Sequence, residues 1–302
     1  MTIPSHKLSA SERRRIINGL FVERVDFQEI LDRMDVLRQD HREGAETSCM
    51  LVLGEPGVGK SSLLQRYARA NPIVEERNET GIMRRQPVVY AELDSNTTVI
   101  GAAATIMRQM MGERAPPGSV AKDLLPDQLR LRQTELLIID EFQHVAETGA
   151  TKTRSRTADW VKSITKKLRI PVAMAGIPTI GTIIADNAQL SSITSFRRQI
   201  HSYEYDSSDD RAAFQEFLQE LDGKLPFRLV SELNAPERAT RLHLATGGIL
   251  RHLGQVIAAA GRMAIDEGAA RIGDRHLYHA CEEINLHPSC IANPFPVPPD
   301  GS

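Results

Sequence analysis

Gly54-Glu55-Pro56-Gly57-Val58-Gly59-Lys60-Ser61-Ser62 is the stretch that decides the fold of this chain. The apolar run at 49–53 before it predicts a buried strand, and residues 63–68 after it carry apolar side chains at helical spacing. A strand, a glycine-rich loop and a helix in this order are typical of a phosphate site, because backbone N–H groups and the helix N-terminus face the anion. We expect the whole stretch to bind a nucleotide, with Lys60 at the β- and γ-phosphates and the Ser61 hydroxyl on Mg²⁺.

A second apolar run, Leu136-Leu137-Ile138-Ile139, ends in the acids Asp140 and Glu141. This pattern is typical of a central parallel strand whose carboxyl end carries function. We expect Asp140 to bind Mg²⁺, directly or through water, and Glu141 to polarise the attacking water. Gln143 and His144 could face the γ-phosphate or a neighbouring subunit, but local hydrogen bonding is the simpler interpretation.

Strands alternate with helices in the first two thirds of the chain. The predicted strands are residues 49–53, 87–93, 135–139, 171–176 and 200–205. This alternation predicts an α/β fold with a doubly wound parallel sheet.

After Tyr205 the composition changes, and helices are predicted near 208–222, 236–246, 248–267 and 274–284. We expect an N-terminal helical segment (1–42), an α/β nucleotide-binding core (43–205), a helical lid (206–285) and a proline-rich tail (286–302). The tail lacks periodicity, so we expect it to be extended and ordered only when something binds it.

Composition excludes several classes of protein. The formal net charge of the 302 residues is −2, so no global positive field attracts nucleic acid, although a local basic surface is still allowed. Three cysteines without regular spacing argue against a disulfide scaffold. No apolar stretch approaches the length of a membrane span, and the N-terminus lacks the apolar core of a signal peptide. We expect a soluble cytoplasmic protein with no membrane partner.

The best candidate for a local basic surface is the segment from Thr151 to Ile170. It contains one acid, Asp159, among its basic residues, and an apolar stripe at helical spacing. Two interpretations stay open, a solvated helix face or phosphate contacts to double-stranded DNA. The candidate DNA-binding residues are Lys152, Arg154 and Arg156, with Arg108 and Arg114 as secondary candidates.

Together these motifs resemble those of AAA+ ATPases. GEPGVGKSS looks like the Walker A motif of that class and LLIIDE like its Walker B motif. SFRRQ lies where the class places an arginine finger, just before the fifth strand, which implies that Arg197 or Arg198 acts on ATP held by the adjacent subunit. GGILR looks like the sensor-2 element at the start of a lid helix, which implies that Arg251 contacts the nucleotide. No Asn ends the fourth strand as a sensor-1 residue, and Thr179 is the nearest polar candidate.

Within this class, the chain looks most like the TniB/TnsC transposition ATPases. The resemblance rests on IIDEFQHV, AMAGIPT, RRQIH and a tail that contains Asn293-Pro294-Phe295. It implies an ATP- and Mg²⁺-dependent DNA-binding regulator that forms a homo-oligomeric ring or filament on target DNA. Its implied partners are a DDE transposase and a target-selection protein. Two alternatives stay open: an ATPase similar to helicase loaders or initiators, and a signalling NTPase that does not bind DNA.

Overall fold

The computed structural model describes residues 8–78, 81–146, 151–284 and 286–297. The strands are β1 Cys49–Gly54, β2 Val74–Asn78, β3 Gly81–Arg85, β4 Val88–Glu92, β5 Leu136–Asp140, β6 Val172–Gly176 and β7 Thr194–Ile200. The helices are α1 Ala10–Asn18, α2 Val25–Glu43, α3 Lys60–Ala70, α4 Val99–Met111, α5 Gly118–Leu131, α6 Gln143–Ala146, α7 Thr151–Lys162, α8 Thr179–Ala185, α9 Ala188–Ile193, α10 Ser208–Gly223, α11 Pro236–Thr246, α12 Leu250–Asp266 and α13 Asp274–Glu283. No helix in the described ranges is long and apolar enough to span a bilayer.

The chain divides into two compact units, which differ from the predicted segments. Residues 25–200 form one, here called the sheet unit; residues 8–24 and 201–297 form the other, here called the helical unit. The predicted N-terminal segment 1–42 is therefore split, since α1 belongs to the helical unit and α2 to the sheet unit. The division after the sheet falls at residue 200, whereas the sequence prediction placed it after 205.

The sheet unit is built on a five-stranded sheet with the order β4-β5-β6-β1-β7. Each neighbouring pair is parallel. All residues of β1, β5 and β6 are buried, as expected for strands that are covered on both faces. The predicted α/β class with a doubly wound parallel sheet is confirmed.

The last strand lies earlier in the chain than predicted. The alternating pattern at 200–205 predicts a strand there, but β7 ends at Ile200. The alternation has another cause, because Tyr203 and Tyr205 both face Phe214 in the helical unit, with ring centroids 5.4 and 6.0 Å from it. Two apolar side chains, two residues apart and facing the same core, give the alternating pattern of a strand although this segment pairs with no strand of the sheet in the described structure.

A hairpin between α3 and β4 was not predicted. Strands β2 and β3 pair in an antiparallel two-stranded sheet, with Val74 opposite Arg85. Their sequences, VEERN and GIMRR, are mostly polar and lack the alternation that marks a half-buried strand. The hairpin is therefore an addition to the sheet unit that leaves the parallel strand order unchanged.

The helical unit contains α1 and α10 to α13, and the last four of these helices lie at the positions that periodicity predicts. Its core includes Phe214, Leu218 and Leu253. Helix α1 joins this core through Ile17, which packs so close to α12 that a side chain at Gly261 would lie 2.6 Å from it. The polar anchor of the unit is Asp222, whose carboxylate accepts hydrogen bonds from the backbone N–H groups of Ser231 (2.8 Å) and Leu233 (3.1 Å).

The described part of the tail is packed against the helical unit, although the sequence predicts an extended segment. Phe295 is 3% exposed and belongs to the core of this unit. Asn293 fixes it in place, because its amide donates to the carbonyl of Tyr278 (2.9 Å) and to Glu282 (2.8 Å). One buried ring and one bridging amide need no sequence period, so periodicity could not reveal this contact.

A buried ion-pair cluster lies at the amino end of β5 in the sheet unit. Glu135 is 3% exposed and accepts hydrogen bonds from Arg38 (3.0 Å) and Arg85. Burial by itself would raise the pKa of Glu135, but the hydrogen bonds from Arg38 and Arg85 outweigh it and hold the pKa below its usual range. Arg38 also donates to Asn71 at the end of α3 (2.6 Å), so the cluster joins α2, α3 and β5.

Replacing Glu135 with Gln should lower the free energy of unfolding at pH 7 by about 3 kcal/mol, because the buried Arg38 and the half-buried Arg85 lose their counter-charge. The folded-state pKa lies below the unfolded one, so the carboxylate contributes stability above about pH 4.3, the unfolded value. That contribution disappears as pH falls through the folded pKa. Urea unfolding between pH 3 and 8 measures this. The free energies of unfolding of parent and variant should differ at pH 7 and become equal as the pH falls.

Glu75→Gln is the matched control, because Glu75 forms an exposed ion pair with Arg84 at 2.7 Å. Its effect should stay within about 0.5 kcal/mol. Equal effects of the two substitutions at pH 7 would contradict the assignment of Glu135 as a structural anchor.

Candidate nucleotide-binding site

The parallel sheet brings the two predicted motifs to the same edge. Strand β6 lies between β1 and β5, with Leu53 opposite Gly176 and Ile139 opposite Met174. Neighbouring strands are separated by about 4.8 Å, so the carboxyl ends of β1 and β5 lie about 10 Å apart. This edge of a doubly wound sheet is where such folds bind ligands.

The loop after β1 has the backbone of a phosphate-binding loop. Gly57 and Gly59 adopt φ values of 89° and 103°, which a residue with a side chain rarely adopts. Helix α3 begins directly after Gly59, so its N-terminal N–H groups lie at the loop. Lys60 is buried in the first turn, and its Nζ donates to the carbonyls of Gly54 (2.7 Å) and Glu55 (3.1 Å). The ammonium group therefore lies over the loop, where a phosphate would be held.

Gly54 is required by close packing at the end of β1. A Cβ atom at this position would lie 2.6 Å from the carbonyl oxygen of Ile200 and 2.8 Å from Val58 Cγ2. The contact with Ile200 shows that the edge strand β7 sets where the loop leaves the sheet. The first glycine of the motif is therefore needed for packing rather than for a left-handed backbone.

Asp140 is fully buried at the end of β5, and two donors fix its carboxylate. Its Oδ1 accepts from the backbone N–H of Glu141 (2.9 Å), and its Oδ2 accepts from the hydroxyl of Tyr90 on β4 (2.9 Å). Burial, and then the charge of Asp140, raise the pKa of Tyr90 well above its usual range, so the phenol stays protonated and stays a donor. Gln65 on α3 donates in turn to the Tyr90 oxygen (3.2 Å).

Glu141 lies in a strained turn next to Gln143. Its φ of 53° is in the left-handed region, which costs a residue with a side chain about 1–3 kcal/mol. The Gln143 amide donates to Glu141 Oε2, and the other amide atom, Oε1, is buried and accepts no hydrogen bond from a described group. Burying that oxygen without a hydrogen bond destabilises the fold by about 1–3 kcal/mol, and the hydrogen bond to the charged Glu141 stabilises it by a similar amount.

The residues at this edge fit Mg²⁺ and a nucleotide. Asp140 and the half-buried Ser61 supply the hard oxygen atoms that Mg²⁺ prefers. The loop 55–59 with its two left-handed glycines supplies a backbone cradle for phosphate. The predicted contacts of Glu55, Pro56, Val58 and Ser62 with nucleotide stay predictions.

The two candidate finger arginines lie inside β7, whereas the sequence prediction placed them just before the last strand. Successive residues of a strand point to opposite faces, so the two side chains separate. Arg198 forms an ion pair with Glu29 on α2 at 2.9 Å. Arg197 is exposed and donates to Ser191 on α9 at 3.2 Å.

Arg251 lies in the first turn of α12 in the helical unit, with an exposed side chain. Gly247 and Gly248 before it both have left-handed backbones, with φ values of 61° and 67°. Tyr203 donates its backbone N–H to the Gly248 carbonyl at 3.0 Å, and a Cβ atom at Gly248 would overlap the Tyr203 carbonyl oxygen. Thr179, the candidate sensor-1 residue, is exposed at the first position of α8.

The predicted DNA-binding residues fall partly outside the described structure. The backbone of Lys152, Arg154 and Arg156 is helical in α7, but their side chains are not among those described. Arg108 and Arg114 are exposed near the end of α4 and in the 3₁₀ turn that follows it. All five assignments stay predictions.

Sequence reasoning missed Tyr90 and Gln65. Tyr90 lies in a predicted strand, but only the register of β4 on β5 brings its hydroxyl to Asp140. Gln65 is one of several polar residues on α3. The available signal was a polar aromatic residue in a mostly apolar strand, which indicates a polar group in need of a partner.

Comparisons with known proteins agree with this geometry. Among solved structures, the Aeropyrum pernix ORC2 protein (ADPNP-ADP complexes) is similar at 16% identity and a TM-score of 0.63, covering 91% of this chain and 72% of that one. Cdc6p from Pyrobaculum aerophilum is similar at 15% identity and a TM-score of 0.58, covering 85% of this chain and 66% of that one. The Aeropyrum pernix ORC1 protein in complex with DNA is similar at 15% identity and a TM-score of 0.58, covering 89% and 69%.

These likenesses show the AAA+ fold, which is an α/β P-loop fold with a C-terminal helical lid. No curated protein matches the chain. The family model described as "Bacterial TniB protein" matches residues 14–198, which include both nucleotide motifs and the arginine pair. The chain therefore belongs to the TniB family of transposition-associated AAA+ ATPases.

Proposed function

We propose that this protein is an ATP-dependent DNA-binding regulator of transposition, which assembles on target DNA and recruits or activates a transposase. The observation that supports it best is the phosphate loop and the acidic end of β5 on one sheet edge, in a chain of the TniB family. The substrate is ATP, and the products are ADP and phosphate.

The proposed chemistry follows from charge and position. Lys60 neutralises the β- and γ-phosphates, and the loop N–H groups hold them. Ser61 and Asp140 would hold Mg²⁺, which supplies further positive charge against the phosphates. Glu141 accepts a hydrogen bond from the attacking water and orients it toward the γ-phosphate.

We assign Arg197 rather than Arg198 as the arginine that acts on the neighbouring subunit. Arg198 already forms an ion pair with Glu29, and it would have to break this pair to reach ATP on a neighbouring subunit. Arg197 is exposed on the edge strand, which a second copy of the chain could approach. A finger in trans links hydrolysis to assembly, since neither subunit completes the site by itself.

DNA binding would come from a local basic surface, because the net charge of the chain is −2. The ORC1 protein, which is similar in fold, was solved in complex with DNA, and this supports a DNA-associated function here. The proposed contacts are Lys152, Arg154 and Arg156, repeated along a duplex by successive subunits. Such contacts to phosphates carry no sequence information but depend strongly on salt.

The similarity to ORC and Cdc6 proteins also favours a second candidate, an ATPase similar to initiators or helicase loaders. Both candidates bind DNA, whereas a signalling NTPase does not. Nucleotide-dependent DNA binding therefore separates the first two from the third. A transposition regulator should stimulate strand transfer by a DDE transposase, and only when ATP is present. A helicase loader should not.

The first prediction concerns the chemistry. Glu141→Gln should keep ATP binding and lower turnover by about 10²-fold or more, because the amide no longer orients water as the carboxylate does. Lys60→Ala should lose most nucleotide affinity. Steady-state hydrolysis and binding of a fluorescent ATP analogue measure both, and undiminished turnover in the Glu141 variant contradicts its assignment.

The second prediction concerns the shared site. Arg197→Ala should lower turnover by about 10³-fold, and mixing it with Lys60→Ala should restore part of the activity where the two intact halves meet. Arg198→Ala is the matched control and should retain turnover if the assembly is intact. Absence of recovery at every mixing ratio, with assembly preserved, argues against an arginine in trans.

The third prediction concerns DNA. Neutralising Lys152, Arg154 and Arg156 to Gln should weaken duplex binding in the presence of a non-hydrolysable ATP analogue. It should also reduce the slope of log affinity against log salt by about 0.9 for each phosphate that the variant no longer neutralises. The control neutralises three exposed residues elsewhere, Lys122, Arg228 and Arg262, with the same change in net charge. Equal affinity and slope in the two triple variants would place the DNA surface elsewhere.

A further inference from the structure

We propose that Gln143 is a positioning residue for Glu141, a proposal that rests on the ATP hydrolysis proposed above. Gln143 lies in the first position of the short helix α6 and is 6% exposed. Its amide nitrogen donates to Glu141 Oε2, which is the carboxylate that would orient water. The carboxylate is therefore held by a side chain two residues further along the same turn.

The orientation of the Gln143 amide follows from its neighbours. A carboxylate only accepts hydrogen bonds, so the NH₂ group must face Glu141 and the carbonyl oxygen must point away. That oxygen, Oε1, is buried and accepts no hydrogen bond from a described group. A hydrogen bond to Glu141 is thus made at the expense of an unsatisfied oxygen, which indicates that the contact with Glu141 decides the conformation.

Gln143 packs closely against the end of β6. A Cβ atom on Gly176, the last residue of β6, would overlap both Gln143 Oε1 and Ile180 Cδ1. The amide therefore fills the space at the end of β6. The turn that carries it is fixed as well, since Phe142 donates to the Ala175 carbonyl (2.8 Å) and His144 to the Glu141 carbonyl (3.0 Å).

The Gln143 amide occupies the space that a side chain at position 176, the end of β6, would take. Strand β6 ends in Gly176, and Thr179 is exposed on α8. The polar group beside Glu141 thus comes from the turn after β5. In contrast to a residue on β6, Gln143 belongs to the same turn as Glu141.

Gln143→Met tests the inference, because it keeps the length and unbranched shape of the side chain and removes the donor. It should lower kcat by about 10- to 100-fold, the usual range for a partner that orients a functional ligand, and leave the KM for ATP within about two-fold. Gln39→Met is the matched control. Gln39 makes the same amide-to-carboxylate contact, to Glu43 at 2.8 Å, on the exposed face of α2.

A double-mutant cycle distinguishes positioning from a general structural effect. If Gln143 acts through Glu141, adding Gln143→Met to Glu141→Gln should change the residual turnover by less than about two-fold. A decrease of the same size in both backgrounds overturns the inference.

Two further measurements do not depend on the Met variant, and the first of them does not depend on turnover. In the ligand-free chain, the side-chain amide resonances of Gln143 should shift and exchange faster in Glu141→Ala, and those of Gln39 should not. Gly176→Ala combined with Ile180→Val displaces the amide with Gln143 itself intact, and it should reproduce the decrease in kcat. Unchanged resonances, or unchanged kcat in this double variant, overturn the inference.

The two proposals fail in different ways. Parent protein that hydrolyses ATP, with Gln143→Met turnover within about two-fold of it, overturns the positioning inference and leaves the proposed ATPase standing. Parent protein that binds ATP and duplex DNA but shows no turnover overturns the proposed hydrolysis, and with it the positioning inference.

Discussion

Strand β1 depends on neighbours on both sides, and the nucleotide edge of the sheet unit depends on β1. It pairs with β6 and β7, and all of its residues are buried. A strand that is enclosed in this way can deliver its loop only at its carboxyl end. The contact between Gly54 and the Ile200 carbonyl fixes where the loop begins, so a shift of β7 along β1 would displace the phosphate site. Sheet order, rather than the glycine motif by itself, therefore sets the geometry of the site.

The ends of the neighbouring strands complete the site through hydrogen bonds that cross from one element to the next. Asp140 is held by a donor from β4 and by the backbone of its own turn, and Glu141 by the amide of Gln143. Each acid is thus orientated by a separate neighbour. In the proposed mechanism, this separation would let Asp140 hold a metal ion while Glu141 orients water, although the two are consecutive in the sequence.

The sequence predicts the fold and the principal motifs because both depend on local patterns. Apolar runs identify β1, β5 and β6, and helical periodicity identifies α10 to α13. The failures concern contacts between distant residues. Tyr203 and Tyr205 imitate a strand because both contact Phe214, and Phe295 is buried in the helical unit by a single anchor. The partners of Asp140 were missed for the same reason, since Tyr90 is 50 residues away in the chain.

The hydrogen-bonded series from Gln65 through Tyr90 to Asp140 has a consequence for the divergence of the family. A substitution at residue 90 that removes the hydroxyl would leave the buried Asp140 oxygen and the Gln65 amide each without a partner. We therefore expect a single substitution at Tyr90 or Asp140 to be disfavoured unless a second position compensates for it. The three residues should be inherited as a unit, so relatives that differ at one of them should differ at another, whereas the exposed residues around them drift independently.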